Sequence, residues 1–461
     1  MSDAPTLPNA FLLTPTAAPR IDTAHRRIQS DLPAPGTAPA LEQATALFPQ
    51  VNCYQPPIVW DRADGYQVFD SVGNQWIDFS STAVTTNIGH GHPKVRAAVS
   101  AHAMDGLLAQ FNFASEIRIQ LASRLVGLAP QGCDQVYFWT VGSEAIECAL
   151  RVAREWGLQR SPTKHHLLTH MGDFHGWTLG AHQLSGDSAA KPWLPSHDAA
   201  IHHLPFPNAI VHAGPTDWSA FFDQNIAELE RSGIHSSDVA GFVIETMQGW
   251  GALPLPGDYL RRLREWADTH SVLVIFDEVQ TGFGRTGKWF GHEHYGIDAD
   301  LLCVGKGLTS SLPLAAVLGS QSVLGVLPPA AITTTHAAHP LSCAAALASL
   351  DVLEEEGLIA EAARKGEIAR AELLKLQSRH PQVISAVSGL GLLNAIHIVN
   401  SASGKPDRVL ASEWTWAAVR HGVMLFQTNQ PTIKICPPLM IPDDALIEGI
   451  KALSEAFDSL Q

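Results

Sequence analysis

Positive charge is scarce in this chain, and nowhere does it cluster. Thirty of the 461 residues are Lys or Arg against 45 Asp or Glu, a formal charge of −15 at pH 7. An acidic chain without basic runs suits neither nucleic acid nor an anionic membrane surface, and neither is expected as a partner. No run of 18 apolar residues exists, so no membrane span is expected. The first residues lack a basic stretch followed by an apolar core, so no secretory signal is expected. The six cysteines (Cys53, Cys133, Cys148, Cys303, Cys343 and Cys436) include no C-x-x-C pair. Several lie in apolar contexts, as reduced core residues of a cytoplasmic protein do. What remains, 46% hydrophobic and 16% charged, is the composition of a packed globular chain long enough for two or three units.

Against that background one stretch stands out. Val272 to Phe276 is an unbroken apolar run with the length of a strand buried on both faces, and it ends in Asp277 and Glu278. A second run, Leu301 to Val304, ends at Lys306 between two glycines, 29 residues beyond Asp277. Open α/β sheets place their ligands at such strand ends. A lysine whose amine is tuned by burial can form an imine with an aldehyde, and an aspartate can keep a pyridine ring cationic. The pair therefore matches the lysine-plus-acid arrangement of pyridoxal phosphate (PLP) enzymes. On these two residues alone a strand-end ion pair is an open alternative.

Taken in order, residues 1–40 are rich in Pro, Ala and Thr and read as a flexible arm with one short helix near Ile21–Gln29. Alternation from Ile58 to Phe79 predicts a small antiparallel meander. Val136–Trp139 reads as a strand running into Gly142-Ser143-Glu144-Ala145 and a helix whose inner face is Ile146, Ala149, Leu150 and Ala153. Gly142 and Ser143 at that helix start form a candidate anion site, with an ordinary Ser cap as the alternative. Phe174, in Asp173-Phe174-His175-Gly176, is an aromatic able to stack on a flat cofactor or to fill a core. Phe242–Glu245 is another strand ending in an acid, and a helix over Asp258–Thr269 crosses to the Val272 strand, which implies a mostly parallel sheet. A long helical region runs from Pro340 past Arg379, followed by short strands and two helices of a smaller α+β domain.

Three patterns mislead. Gly282 to Lys288 approaches a phosphate-binding loop, but Trp289 stands where a Mg²⁺-binding hydroxyl is needed. His292-Glu293-His294 lacks helical zinc spacing, and Gly89-His90-Gly91-His92-Pro93 offers no third ligand. No metal is expected.

Together, Gly142-Ser143-Glu144-Ala145, Phe174-His175-Gly176, Glu245…Gln248-Gly249, the run Asp277 to Gly287, Gly305-Lys306-Gly307 and Thr335…His339-Pro340-Leu341 resemble the class III (ω-) aminotransferases over roughly residues 50–450. That resemblance implies an α/β, fold type I PLP enzyme: a large domain with a mostly parallel seven-stranded sheet plus a smaller α+β domain. It implies an arm over 1–50, a meander over 51–90 packing with the small domain, a PLP-binding domain over 91–340 and a small domain over 341–461. It also implies Lys306 as the cofactor-bearing lysine, Asp277 at the pyridine nitrogen, Gln280 at the ring hydroxyl and Phe174 on the ring face. Gly142 and Ser143 would hold the phosphate, Thr335 would reach the phosphate of the other subunit of a homodimer, and Glu245 would orient Asp277 or Gln280.

Three positions depart from that pattern. Trp250 replaces a glutamate, Lys434 replaces the arginine that it pairs with, and Val141 replaces a hydroxyl residue of the phosphate cup. Lysine lacks arginine's two-pronged grip on a carboxylate. The expected reaction is therefore transfer of an amino group from a primary amine or ω-amino compound to a 2-oxo acid, pyruvate favoured over 2-oxoglutarate, in a ping-pong cycle. The same fold also hosts racemases, decarboxylases and phospholyases.

Overall fold

The computed structural model describes residues 11, 13–47, 55–212, 214 and 217–460. The chain forms two compact units, one of residues 93–249 and 253–359, the other of residues 1–92, 250–252 and 360–461.

The first unit is built on a seven-stranded sheet. Its strands in chain order are β1 (Gln135–Trp139), β2 (His166–His170), β3 (Ile201–Leu204), β4 (Val239–Glu245), β5 (Leu273–Asp277), β6 (Leu301–Val304) and β7 (Ala315–Gly319). Their spatial order is β1-β7-β6-β5-β4-β2-β3, with β7 antiparallel to both neighbours and the other pairings parallel. Every residue of β4, β5, β6 and β7 is buried, as continuous apolar runs with both faces covered require. Helix α1 (Gly142–Leu158) buries Ile146, Ala149 and Ala153 and leaves Leu150 half-buried against the core. At Gly157 the helix meets the carbonyl of Lys164 and Cβ of Ala240 so closely that a side chain would collide with both. Helix α2 (Gly257–His270) presents Leu260, Leu263 and Ala267 inward and ends at Ser271 with φ +53°. The single long helix expected from Pro340 is two, Pro340–Glu355 and Leu358–Arg379, because Gly357 (φ +62°) adopts the left-handed geometry that ends a helix. Pro340–Glu355 packs on helices Pro93–Met104 and Glu116–Leu128, so the division between units falls after Ile359, not at 340.

In the second unit, strands Arg62–Asp64, Gln67–Phe69 and Gln75–Asp78 form the antiparallel meander, and Val423–Met424 joins it in parallel. Strands Ile384–Leu390, Leu393–Ile398 and Thr432–Ile435 make a second antiparallel sheet beside helices Arg408–Arg420 and Asp443–Asp458. The helix expected near Ile21–Gln29 is a hairpin, Ile21–Asp22 against Arg27–Ile28, and Arg27 pairs with Gln75. The buried Arg26 decides it: its guanidinium meets Glu448 at 2.8 Å, Glu455 at 3.3 Å and the His421 carbonyl at 2.7 Å, partners far along the chain that override local helix preference. Part of the expected arm, Ala38–Leu47, is helical; residues 1–10, 12 and 48–54 lie outside the described part.

Candidate active site

Five chemistry-bearing segments sit at the C-terminal ends of the strands of the large sheet. Parallel pairing sets Asp277 of β5 opposite Glu245 of β4 on one side and Cys303 of β6 on the other, with Lys306 three residues further along. Lys306 opens a single 3-10 turn and has φ +41°, an uncommon value for a side chain at a strand end.

Asp277 is 5% exposed, and both its oxygens are engaged. Oδ1 accepts the Val279 N–H at 3.1 Å, and Oδ2 lies 2.8 Å from His175 Nδ1. The far nitrogen of His175, Nε2, is 3.1 Å from Thr169 Oγ1. The motif Phe174-His175-Gly176 by itself gives His175 no role, since its pairing with an acid 102 residues away carries no local signal. Glu278, the second acid of the pair, faces elsewhere. Its carboxylate accepts the N–H groups of Gly291 (2.8 Å) and His292 (2.7 Å) and the Thr281 hydroxyl, a loop-tying role.

Glu245 accepts the N–H of Phe174 at 2.7 Å and of Gly249 at 2.9 Å. Gly249 lies hard against Gln280 Nε2 and Glu245 Oε2, so a side chain there would displace both. Burial pushes the Glu245 carboxyl well above the usual carboxylate range, and Asp173 and Asp277 add to this, while the Phe174 N–H and Lys306 oppose it. Phe174 is half-buried, its ring edge-on to Trp177 with centroids 5.4 Å apart.

The α1 start is preorganised. Glu144 reaches back to accept the N–H of Thr140 (2.8 Å) and Val141 (3.3 Å), serving as the cap that Val141 cannot supply. Ser143 Oγ accepts the Trp177 N–H at 3.3 Å, and Gly176 (φ +135°) crosses Ser143 where no Cβ would fit. Thr335 is exposed, in the loop whose Ala337 and Ala338 carbonyls accept from Arg118 at 2.6 and 2.9 Å. Trp250 and Lys434 belong to the other unit. There the Trp250 carbonyl accepts from Thr432 Oγ1 at 3.0 Å, pinning residues 250–252 to the strand that carries Lys434. Lys434 is buried, its Nζ 5.3 Å from the Phe426 ring centroid. Of the misleading histidines, His90 Nε2 lies 2.7 Å from Asp78, His292 Nδ1 2.9 Å from the Ile297 carbonyl and His294 Nε2 3.1 Å from Thr286.

The model of the aminotransferase class-III family matches residues 50–457. The chain belongs to the class III aminotransferases. It is 33% identical over 435 residues to a 5-aminovalerate aminotransferase of Pseudomonas aeruginosa, covering 91% of this chain and 98% of that one. It is 32% identical over 425 residues to an isoleucine 2-epimerase of Lentilactobacillus buchneri, covering 89% and 92%. Among solved structures it is similar to an amine transaminase from an uncultivated Pseudomonas species in its PLP-bound form: 30% identity, TM-score 0.81, 87% of this chain and 95% of that one. A class III aminotransferase is a PLP-dependent transferase of fold type I acting on small-molecule amines and oxo acids, and these statements hold for this chain. Among the described residues no helix is long and apolar enough to cross a membrane.

Proposed function

We propose that this aminotransferase moves an amino group from a primary amine or ω-amino compound to a 2-oxo acid, with pyruvate favoured over 2-oxoglutarate, by a ping-pong cycle through Lys306. The observation that carries the reading is the juxtaposition of Asp277 and Lys306 on paired strands, with Asp277 held by His175 and Val279.

The donor set suits PLP. Gly142 and Ser143 offer a helix N-terminus and a hydroxyl to a phosphate. Phe174 offers a ring face, Gln280 an amide for a ring hydroxyl, and Glu245 ties the Phe174 backbone to Gly249 beside Gln280. Bound there, the cofactor supplies an aldehyde carbon and an electron-withdrawing ring. Asp277, held by the Val279 N–H and His175, would face the ring nitrogen of a bound cofactor. Lys306 supplies the amine that anchors the cofactor and, once displaced, a base to take the proton from the substrate carbon and return it.

The acceptor preference rests on Lys434 and Trp250. A buried point charge grips a second carboxylate less well than a guanidinium fork, and an indole is bulkier and less polar than a carboxylate side chain. A steady-state acceptor screen tests it: pyruvate should give the higher kcat/KM, and a clear advantage of 2-oxoglutarate refutes it. The similarity to an isoleucine 2-epimerase favours racemisation as the second reading. Inversion of a single amino-acid enantiomer with no acceptor present would establish it.

Self-association as a homodimer has its own support. Met104, Leu107, Leu108, Phe111, Phe113 and Ile119 are exposed apolar side chains in one stretch of the large unit, and Arg118 ties that stretch to the loop carrying Thr335. We place Thr335 at the partner's phosphate on that basis. The five described cysteines are buried and form no disulfide, with the thiols of Cys133, Cys148 and Cys343 pushed up to about 12 by burial, which accords with a reducing cytoplasm.

A further inference from the structure

Three buried side chains, Tyr259, His170 and Asp173, have no place in the scheme above. They lie behind the loop that carries Phe174 and His175. That loop is fixed by side chains from elsewhere: Glu245 accepts the Phe174 N–H at 2.7 Å, Ser185 Oγ the His175 N–H at 2.9 Å and Ser143 Oγ the Trp177 N–H at 3.3 Å. Asp173 acts in the opposite sense. Its Oδ2 accepts the Glu245 N–H at 3.4 Å, while the Glu245 side chain accepts from the next loop residue, Phe174, so that the loop and the strand end clasp each other in both directions.

The clasp is backed. Asp173 Oδ2 is 3.5 Å from His170 Nδ1 and 4.0 Å from His175 Nε2, and both imidazoles are fully enclosed. His170 Nε2 is 2.8 Å from the Tyr259 hydroxyl. Burial pushes the Tyr259 phenol well up, so it keeps its proton and donates to His170 Nε2. That leaves His170 Nδ1 on the side of Asp173, near its Oδ2 but without a hydrogen bond to it. The order is thus Tyr259 of α2, His170 of β2, then Asp173, then the loop. Asp173 is 1% exposed and its Oδ1 has no hydrogen-bond partner among the described residues. A buried carboxylate oxygen without a protein partner is a feature that core packing alone does not explain.

We infer that Asp173, backed by His170 and Tyr259, is a positioning residue for the cofactor site: it fixes the loop that presents Phe174 to the ring and His175 to Asp277. This rests on the roles proposed above for Phe174 and Asp277. It predicts that loosening Asp173 disturbs how the cofactor is held before it disturbs the fold.

The test compares holoenzymes of Asp173→Asn and Tyr259→Phe with a control, Trp266→Phe, on the same helix as Tyr259. The control removes an indole N–H that donates to Ser236 Oγ at 3.2 Å, away from the clasp. Three quantities are read: the visible circular dichroism of bound PLP, its dissociation constant, and the melting temperature of the cofactor-free protein. Asp173→Asn should at least halve the dichroism and weaken PLP binding about tenfold, as loss of a charge-assisted contact implies. Tyr259→Phe should move both in the same direction by about two- to threefold. Trp266→Phe should lower the melting temperature and leave both cofactor readouts as in wild type. Wild-type dichroism and affinity in Tyr259→Phe overturn the inference, as does an equal loss in Trp266→Phe. If Asp173→Asn does not fold, Tyr259→Phe decides alone. A wild-type enzyme that binds PLP with full dichroism but transaminates no donor refutes the functional reading and leaves this one standing.

Discussion

The two edges of the large sheet each carry a lysine and a group of histidines, Lys164 buried and Lys306 half-buried, and they use them differently. At the N-terminal edge, Lys164 donates to the carbonyls of Ser237 (3.3 Å) and His270 (3.0 Å), and burial lowers its pKa. His166 Nδ1 and His202 Nε2 meet at 2.8 Å across neighbouring strands. Every one of those contacts joins one piece of chain to another. At the C-terminal edge, Lys306 stands beside three buried acids, Asp173, Glu245 and Asp277, with the strongly raised carboxyl of Glu245 among them. The acids there are braced by backbone N–H groups and by His175, an arrangement that fixes their positions. A lysine at a sheet edge therefore says little by itself. Carbonyl partners mark a tie, and an acid braced on the next strand marks a reaction site.

Removing each lysine is the sharpest way to break that contrast. Lys306→Ala should cost about 10³-fold or more in kcat, since both the anchoring amine and the base are lost. PLP should still bind, without the imine absorbance band, and wild-type turnover would refute the assignment. Asp277→Asn keeps the size and one acceptor but removes the charge. A loss of about 10²-fold in kcat is expected, with stability close to wild type, from steady-state kinetics and thermal melts in parallel. Lys164→Met should leave kcat unchanged and cost roughly 2 kcal/mol, because two carbonyls lose their donor. Denaturant unfolding with unchanged turnover per folded enzyme would confirm it, and a fall in kcat would erase the distinction between the edges.

How much of this was legible beforehand follows from the range of the forces involved. Asp277, Glu245 and Lys306 were readable because each ends a short apolar run, and strand ends are a local property. The helix starting at Gly142 was readable from its 3.6-residue periodicity. The hairpin at Ile21–Ile28 was not, since it depends on Arg26 meeting Glu448 and Glu455. Nor was the role of His175, whose acid lies on another strand. The break at Gly357 had a local signal, a glycine after three glutamates, that a long helical reading passed over. The boundary at 340 failed for another reason: Pro340 starts a helix well, but only packing shows which unit owns it.

The smallest effect concerns pH. On β3, burial drives the His203 imidazole down to about 4 from 6.5, and the positive charge of Lys191 adds to this. Burial also lowers His166 and His202. In the unfolded chain these rings take up protons below about 6.5, while in the folded protein they resist. The unfolded state therefore binds more protons between those values, and stability must fall as pH drops from about 6.5 toward 4. His203→Gln keeps a donor for the Leu184 and Ser185 carbonyls, which the ring nitrogen meets at 3.0 and 3.1 Å, but cannot titrate. Its melting temperature should fall less steeply over that range than that of wild type, while turnover at pH 7 stays the same. Identical slopes would mean that these histidines do not set the acid limit of the fold, and the buried carboxylates Asp173, Glu245 and Asp277 would be the next groups to replace.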